Sequence, residues 1–258
     1  MAVSVLIGMK RLVKMAVAFS TIALIHNATA KNTVNKTSEK FLKVQIDQNV
    51  TIGRAIKTIV EHYPQQAASI VNTALDLYPD KYKEIIHAAI SAQPTLADEV
   101  VTMALNKGIS NCTSIVETAI NADPSYVDFV VTAAASSTPE QLSEIVRIAV
   151  ITEPDSADYI VQSLAKEHPS KIIEILSSAI IAVPVVGEYV VEALLAAFPN
   201  DAEIVVTTAV RESSAMRENV KRIIKIAQNS GVDEERLEVY ALNGGATAEE
   251  LSEILGDK

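Results

Sequence analysis

The stretch PDSADYIVQSLAKEHPSKIIEILSSAIIAV, residues 154–183, places a proline at the head of each fifteen-residue half, and both halves carry the same apolar beat. The prolines of the whole chain are Pro64, Pro79, Pro94, Pro124, Pro139, Pro154, Pro169, Pro184 and Pro199. Every interval is fifteen residues except one of thirty, where Ile109 takes the vacant place. Nine prolines in one register are an internal repeat, and a repeat has to be read before any local propensity.

With proline as position 1, positions 7 and 8 are β-branched or leucine pairs in all ten units, and position 11 is alanine in eight of the ten. The paired β-branched residues taken alone would suggest strands. At about 100° per residue, however, positions 4, 7, 8, 11 and 12 fall on one face of a helix, and periodicity decides in favour of helix. Position 2 carries Asp80, Thr95, Ser110, Ser125, Asp155, Ser170 and Asn200, residue types that cap helix starts. Three residues on, Asp98, Asp128, Asp158 and Glu203 complete capping-box-like pairs with Thr95, Ser125, Asp155 and Asn200. Each unit therefore reads as one helix of about eleven residues, roughly 16 Å long, with a short turn.

A finer period of thirty is also present. ADEVV, VDFVV, ADYIV and GEYVV recur in alternate units, with EIIHAAI, SIVETAI, EIVRIAV, EILSSAI and IVVTTAV between them. The repeat is an αα-hairpin, an A helix followed by a B helix, occurring five times between residues 64 and 213. One hairpin cannot bury its apolar face alone; stacking them makes an all-α solenoid, a rod or arc roughly 45 Å long. The architecture is similar to that of the HEAT and TPR solenoids, but the thirty-residue length and the motifs match neither signature, so no family is assigned. The sequence divides into residues 1–30, an export signal; 31–49, a polar segment expected to be flexible at first; 50–213, the repeat domain, opened by a proline-less helix; and 214–258, a helical C-terminal cap.

The export signal rests on a basic region (Lys10, Arg11, Lys14), an apolar run over residues 15–25 and small residues in Ala28-Thr29-Ala30, with cleavage expected after Ala30. A start at Met9 would give it the usual proportions. The run is shorter than the ~20 residues of a membrane span, so no integral span is expected after cleavage, and the destination is periplasmic or extracellular. Taking three basic residues from 22 leaves 19 against 32 acidic ones, a net charge of −13. That balance argues against nucleic acid and anionic membranes as partners. The single cysteine, Cys112, rules out an intramolecular disulfide and sits at core-facing position 4.

No serine elbow, glycine-rich phosphate loop or Cys/His pair is present, so no catalytic residue, cofactor or metal site is expected. His62, His87 and His168 occupy different repeat positions. Two ladders of period thirty stand out instead. Asp98, Asp128, Asp158 and Glu188 at position 5 form either an acidic binding strip or helix-start complements. Phe129, Tyr159 and Tyr189 at position 6 lie about 170° from the centre of the apolar face. They either pack against a neighbouring hairpin or line a protein- or peptide-binding strip. The basic cluster Arg211, Arg217, Lys221, Arg222 and Lys225 is either a solvated face or an end that attracts the acidic body of another copy. The expected function is that of an exported, non-enzymatic binding scaffold; the alternative is a structural protein that self-associates into fibres or a matrix.

Overall fold

A computed structural model describes residues 39–256, apart from 41, 47 and 49. Residues 1–30, read from the sequence as an export signal, thus lie outside the described residues. Among those described, the α-helices are α1 (Ile52–His62), α2 (Ala67–Leu77), α3 (Tyr82–Ala92), α4 (Ala97–Asn106), α5 (Cys112–Ala122), α6 (Val127–Ser137) and α7 (Leu142–Thr152). They continue as α8 (Ala157–Glu167), α9 (Ile172–Ala182), α10 (Gly187–Ala197), α11 (Ala202–Glu212), α12 (Arg217–Asn229), α13 (Glu234–Gly244) and α14 (Ala248–Leu255). No strand occurs among the described residues.

The helix face read from the sequence is the buried one. In α8, Ile160, Val161, Leu164 and Ala165 are fully buried and Ala157 nearly so. All eight position-11 alanines, from Ala74 to Ala209, have no exposure. A methyl group there lets neighbouring helices approach closely, which is why the core needs few aromatics. Each fully buried branched side chain contributes about 1.5–3 kcal/mol by leaving water.

Helix starts differ from the sequence expectation. Every one of the nine prolines opens a three-residue 3-10 turn, and the α-helix begins at position 4. Position 2 lies inside that turn, and none of the capping-box-like pairs with Thr95, Ser125, Asp155 or Asn200 forms. The physical reason lies in the residue before each proline. Steric conflict with the proline ring keeps it out of the helical region, as at His168 (φ −125°, ψ 63°). Its N–H still closes the preceding helix, His168 N to Leu164 O at 2.8 Å, and its carbonyl accepts from Lys171 N at 2.9 Å. Backbone groups satisfy the ends, and a side-chain cap joins them only at the turn before α6, where Asp123 Oδ1 accepts from Ser125 N at 3.0 Å.

The exception supports the rule. Where Ile109 replaces proline there is no 3-10 turn; α4 ends early and Gly108 takes φ 60°, a conformation that favours glycine. Here a side-chain cap appears, at Asn111 rather than Ser110, accepting from Ser114 N at 2.8 Å. Thr51 and Asp233 stand at the same place before the proline-less α1 and α13 and cap them likewise.

The helices stack in two layers. α2, α4, α6, α8, α10 and α12 pack in succession in the A layer; α1, α3, α5, α7, α9, α11 and α13 do so in the B layer. Consecutive segments from the two layers, Pro184–Ala197 and Pro199–Glu212, meet at a bend of 120°. The terminal helices extend the same ladder: α1 lies on α3, α12 on α10 and α13 on α11. The segment expected to be flexible includes helical residues 42–46, anchored by the fully buried Leu42.

Four of the five residues of the basic cluster stand against carboxylates of the same chain, and Lys225 donates to Gln228 Oε1. Arg217 Nε donates to Glu250 Oε1 at 2.6 Å while its Nη2 makes a second contact with Oε2, and Lys221 pairs with Glu253 at 2.6 Å. Arg222 lies 4.0 Å from Glu188 and Arg211 3.7 Å from Glu212. The Arg217–Glu250 and Lys221–Glu253 contacts clasp α14 onto α12. Arg217, aided against desolvation by the Thr247 backbone and hydroxyl donors, holds the Glu250 carboxyl down at about 2.

Candidate binding surface

The two ladders share the outer side of the A layer. Position 6 lies opposite the buried face, and Phe129, Tyr159 and Tyr189 are 50%, 51% and 56% exposed. Half of each ring therefore faces solvent, and the remaining half lies against the stack. Phe129 leans on Tyr126 of its own turn, ring centroids 5.5 Å apart. Tyr159 reaches the previous rung, its hydroxyl donating to Asp128 Oδ2 at 3.4 Å. That contact demonstrates the register: position 5 of one A helix faces position 6 of the next. The B layer keeps the same rule, with Ser143 Oγ donating to Glu174 Oε1 at 2.8 Å.

Position 6 in α2 and α4 is Ser69 and Glu99, so the aromatic row begins at α6 and ends at α10. Asp98 and Asp158 are exposed, while Asp128 and Glu188 are half-buried. None of these four makes a side-chain helix cap. They sit in first turns, where a carboxylate complements the helix dipole, yet their oxygens keep open valences toward solvent. Each rung thus offers an aromatic face beside a carboxylate, an arrangement suited to holding a cation or an amphipathic side chain.

Cys112 is buried as position 4 requires, with only 4% exposure. Burial pushes its thiol up from the usual value against a partial opposing effect of the Thr138 hydroxyl, a setting for an inert core residue and not for a thiolate nucleophile. His62 Nδ1 meets Thr58 O, and His87 Nδ1 meets Ser91 Oγ. Among the described residues no group of three or more His, Cys, Asp or Glu is placed to hold a metal ion.

One feature escaped sequence reasoning. A groove of about 750 Å3 crosses α1, α3 and α5 on the B layer, with Gly53 and Ala88 at its floor and Arg54, Lys57, Lys83 and Glu117 at its rim. Its signal was the recurrence of polar residues Lys57, His87 and Glu117 at thirty-residue spacing. The rim mixes charges of both signs and selects no ligand class.

Among the described residues no single helix is long and apolar enough to cross a membrane. No family model, characterised protein or solved structure matches the chain.

Proposed function

We propose that the protein is an exported, non-enzymatic scaffold that binds a protein or peptide along the outer side of its A layer. The observation that carries this reading is the in-register row of half-exposed aromatics, Phe129, Tyr159 and Tyr189, each beside a position-5 carboxylate. Exposed aromatics on a rigid repeat supply contact area at little entropic cost. Residues 1–30 supply the grounds for export. The test is retention of partners from periplasm or culture medium by the wild type and by a Phe129→Ser, Tyr159→Ser, Tyr189→Ser triple variant. Loss of retention with an unchanged thermal melt is the expected result; equal retention by both refutes the strip.

A second reading, self-association end to end, is favoured by one observation. Val239 and Leu242 of α13 are 52% and 43% exposed at the end of the B layer. Counted from Gly231, Val239 stands at position 9, which elsewhere contacts the next helix: Gln162 Nε2 reaches Ala193 O and Thr207 Oγ1 reaches Tyr240 O. Against it, the clasped α14 covers the end of the A layer. Light scattering decides, since a mass independent of concentration rejects assembly.

A further inference from the structure

Resting on the scaffold reading, we infer that the strip recognises a polyproline-type segment carrying arginine at every third residue. Three observations converge on this occupant. The first is spacing: helices stacked in one layer lie about 8–10 Å apart, and the Tyr159–Asp128 bond places consecutive rungs in direct register. A polyproline II chain has three residues per turn and rises about 3.1 Å per residue, so its residues i, i+3 and i+6 repeat every ~9.3 Å on one side. An extended β-strand covers the same distance in three residues but turns alternate side chains away. At the general spacing of stacked helices, the first geometry presents a side chain to every rung and the second does not.

The second observation is charge. Along α4, α6, α8 and α10 the residues at positions 5 and 6 include Asp98, Glu99, Asp128, Asp158 and Glu188 and no base. A guanidinium can stack on the ring of a rung while donating to the carboxylate beside it, which a compact ammonium does less well. The third is internal: the chain already brings a guanidinium of its own to the last rung, Arg222 standing 4.0 Å from Glu188. The peptide competes with Arg222 there, so Asp128 and Asp158 carry more of the recognition than Glu188 does.

The test is fluorescence anisotropy of labelled synthetic 12-mers titrated with the full chain. One peptide carries arginine at every third position among prolines; a second has identical composition with its arginines in one block; a third replaces arginine by glutamate. The spaced peptide should bind at least about 10-fold tighter than the blocked one, and the acidic one should not bind. The Asp128→Asn, Asp158→Asn double variant should weaken the spaced peptide about 10-fold and Glu188→Gln less. Melts of the variants exclude unfolding as the cause. Equal affinity for spaced and blocked peptides overturns the inference, as does absence of binding to the spaced one. Should natural partners still be lost in the triple serine variant in that case, the scaffold reading stands while the arginine spacing falls.

Discussion

Ile160 and Tyr159 are adjacent in sequence and opposite in fate, which makes them a sharp test of the helical register. Ile160 is completely buried in α8; Tyr159 is 51% exposed. Ile160→Ala removes three carbons from a close-packed position and leaves a cavity between stacked hairpins, at a cost of about 3 kcal/mol. For a domain of this size that lowers the melting temperature by about 6–12 °C. Tyr159→Ser loses half-solvated ring contact and a long, exposed hydrogen bond to Asp128, so its effect should stay within about 0.5 kcal/mol. Thermal and urea unfolding followed by far-ultraviolet circular dichroism measure both. Equal losses, or a larger loss for Tyr159→Ser, would refute the assignment of positions 6 and 7 to opposite faces. Gln162 is a less clean reference than its sequence position suggests, because it is half-buried and its amide reaches Ala193 O on the next A helix.

Three further outcomes follow from particular contacts. Gly244→Ala should destabilise by about 1–3 kcal/mol, since a Cβ there would lie 2.7 Å from Val210 Cβ and 2.8 Å from the Thr207 carbonyl, and this overrides the usual gain of alanine in a helix; an unchanged or raised melt contradicts the close packing of α13 on α11. Asn111→Ala should cost about 1 kcal/mol by removing the cap of α5, whereas Ser125→Ala inside a proline turn should cost little; comparable losses in urea melts would show that position 2 caps after all. Glu250 is held at about 2 against an ordinary 4.5, so its clasp stabilises the fold fully above pH 4.5 and fades as pH falls toward 2. With Arg217 partly exposed, about 1–2 kcal/mol is at stake. Glu250→Gln should lack this part of the acid sensitivity, and identical pH profiles would refute it.

The sequence made the repeat legible because proline acts at fixed intervals on two independent features: it ends one helix through the residue before it and starts the next through its own φ. The apolar beat then fixed which face turns inward, and Ile160, Val161 and the position-11 alanines lie where that beat puts them. The caps were misread because Thr95, Ser125 and Asp155 suit an N-cap and the second residue of a 3-10 turn equally well. What separates the two is the backbone angle that proline imposes one residue earlier. The internal partners of the basic cluster were not legible for another reason: Glu250 and Glu253 lie more than thirty residues along the chain, on a helix whose docking no local pattern announces. Leu42 was missed because one buried anchor within a polar segment leaves almost no periodic trace.

The proline device has a consequence for the surface. In units with proline, backbone carbonyls and amides close the helix ends, so the side chains at positions 2 and 5 are not needed as helix caps. In the unit without it, the Asn111 side chain is committed to capping, accepting from Ser114 N. Asp98, Asp128, Asp158 and Glu188 all belong to proline-opened helices. Their carboxylates, and the aromatics that follow three of them, can therefore change with little cost to the stack: Asp158→Asn should leave the melt within about 0.5 kcal/mol. Stability resides in positions 4, 7, 8, 11 and 12, and recognition is free to reside in positions 5 and 6. That separation, repeated every thirty residues, is what allows one rigid core to present a periodic and adjustable outer row.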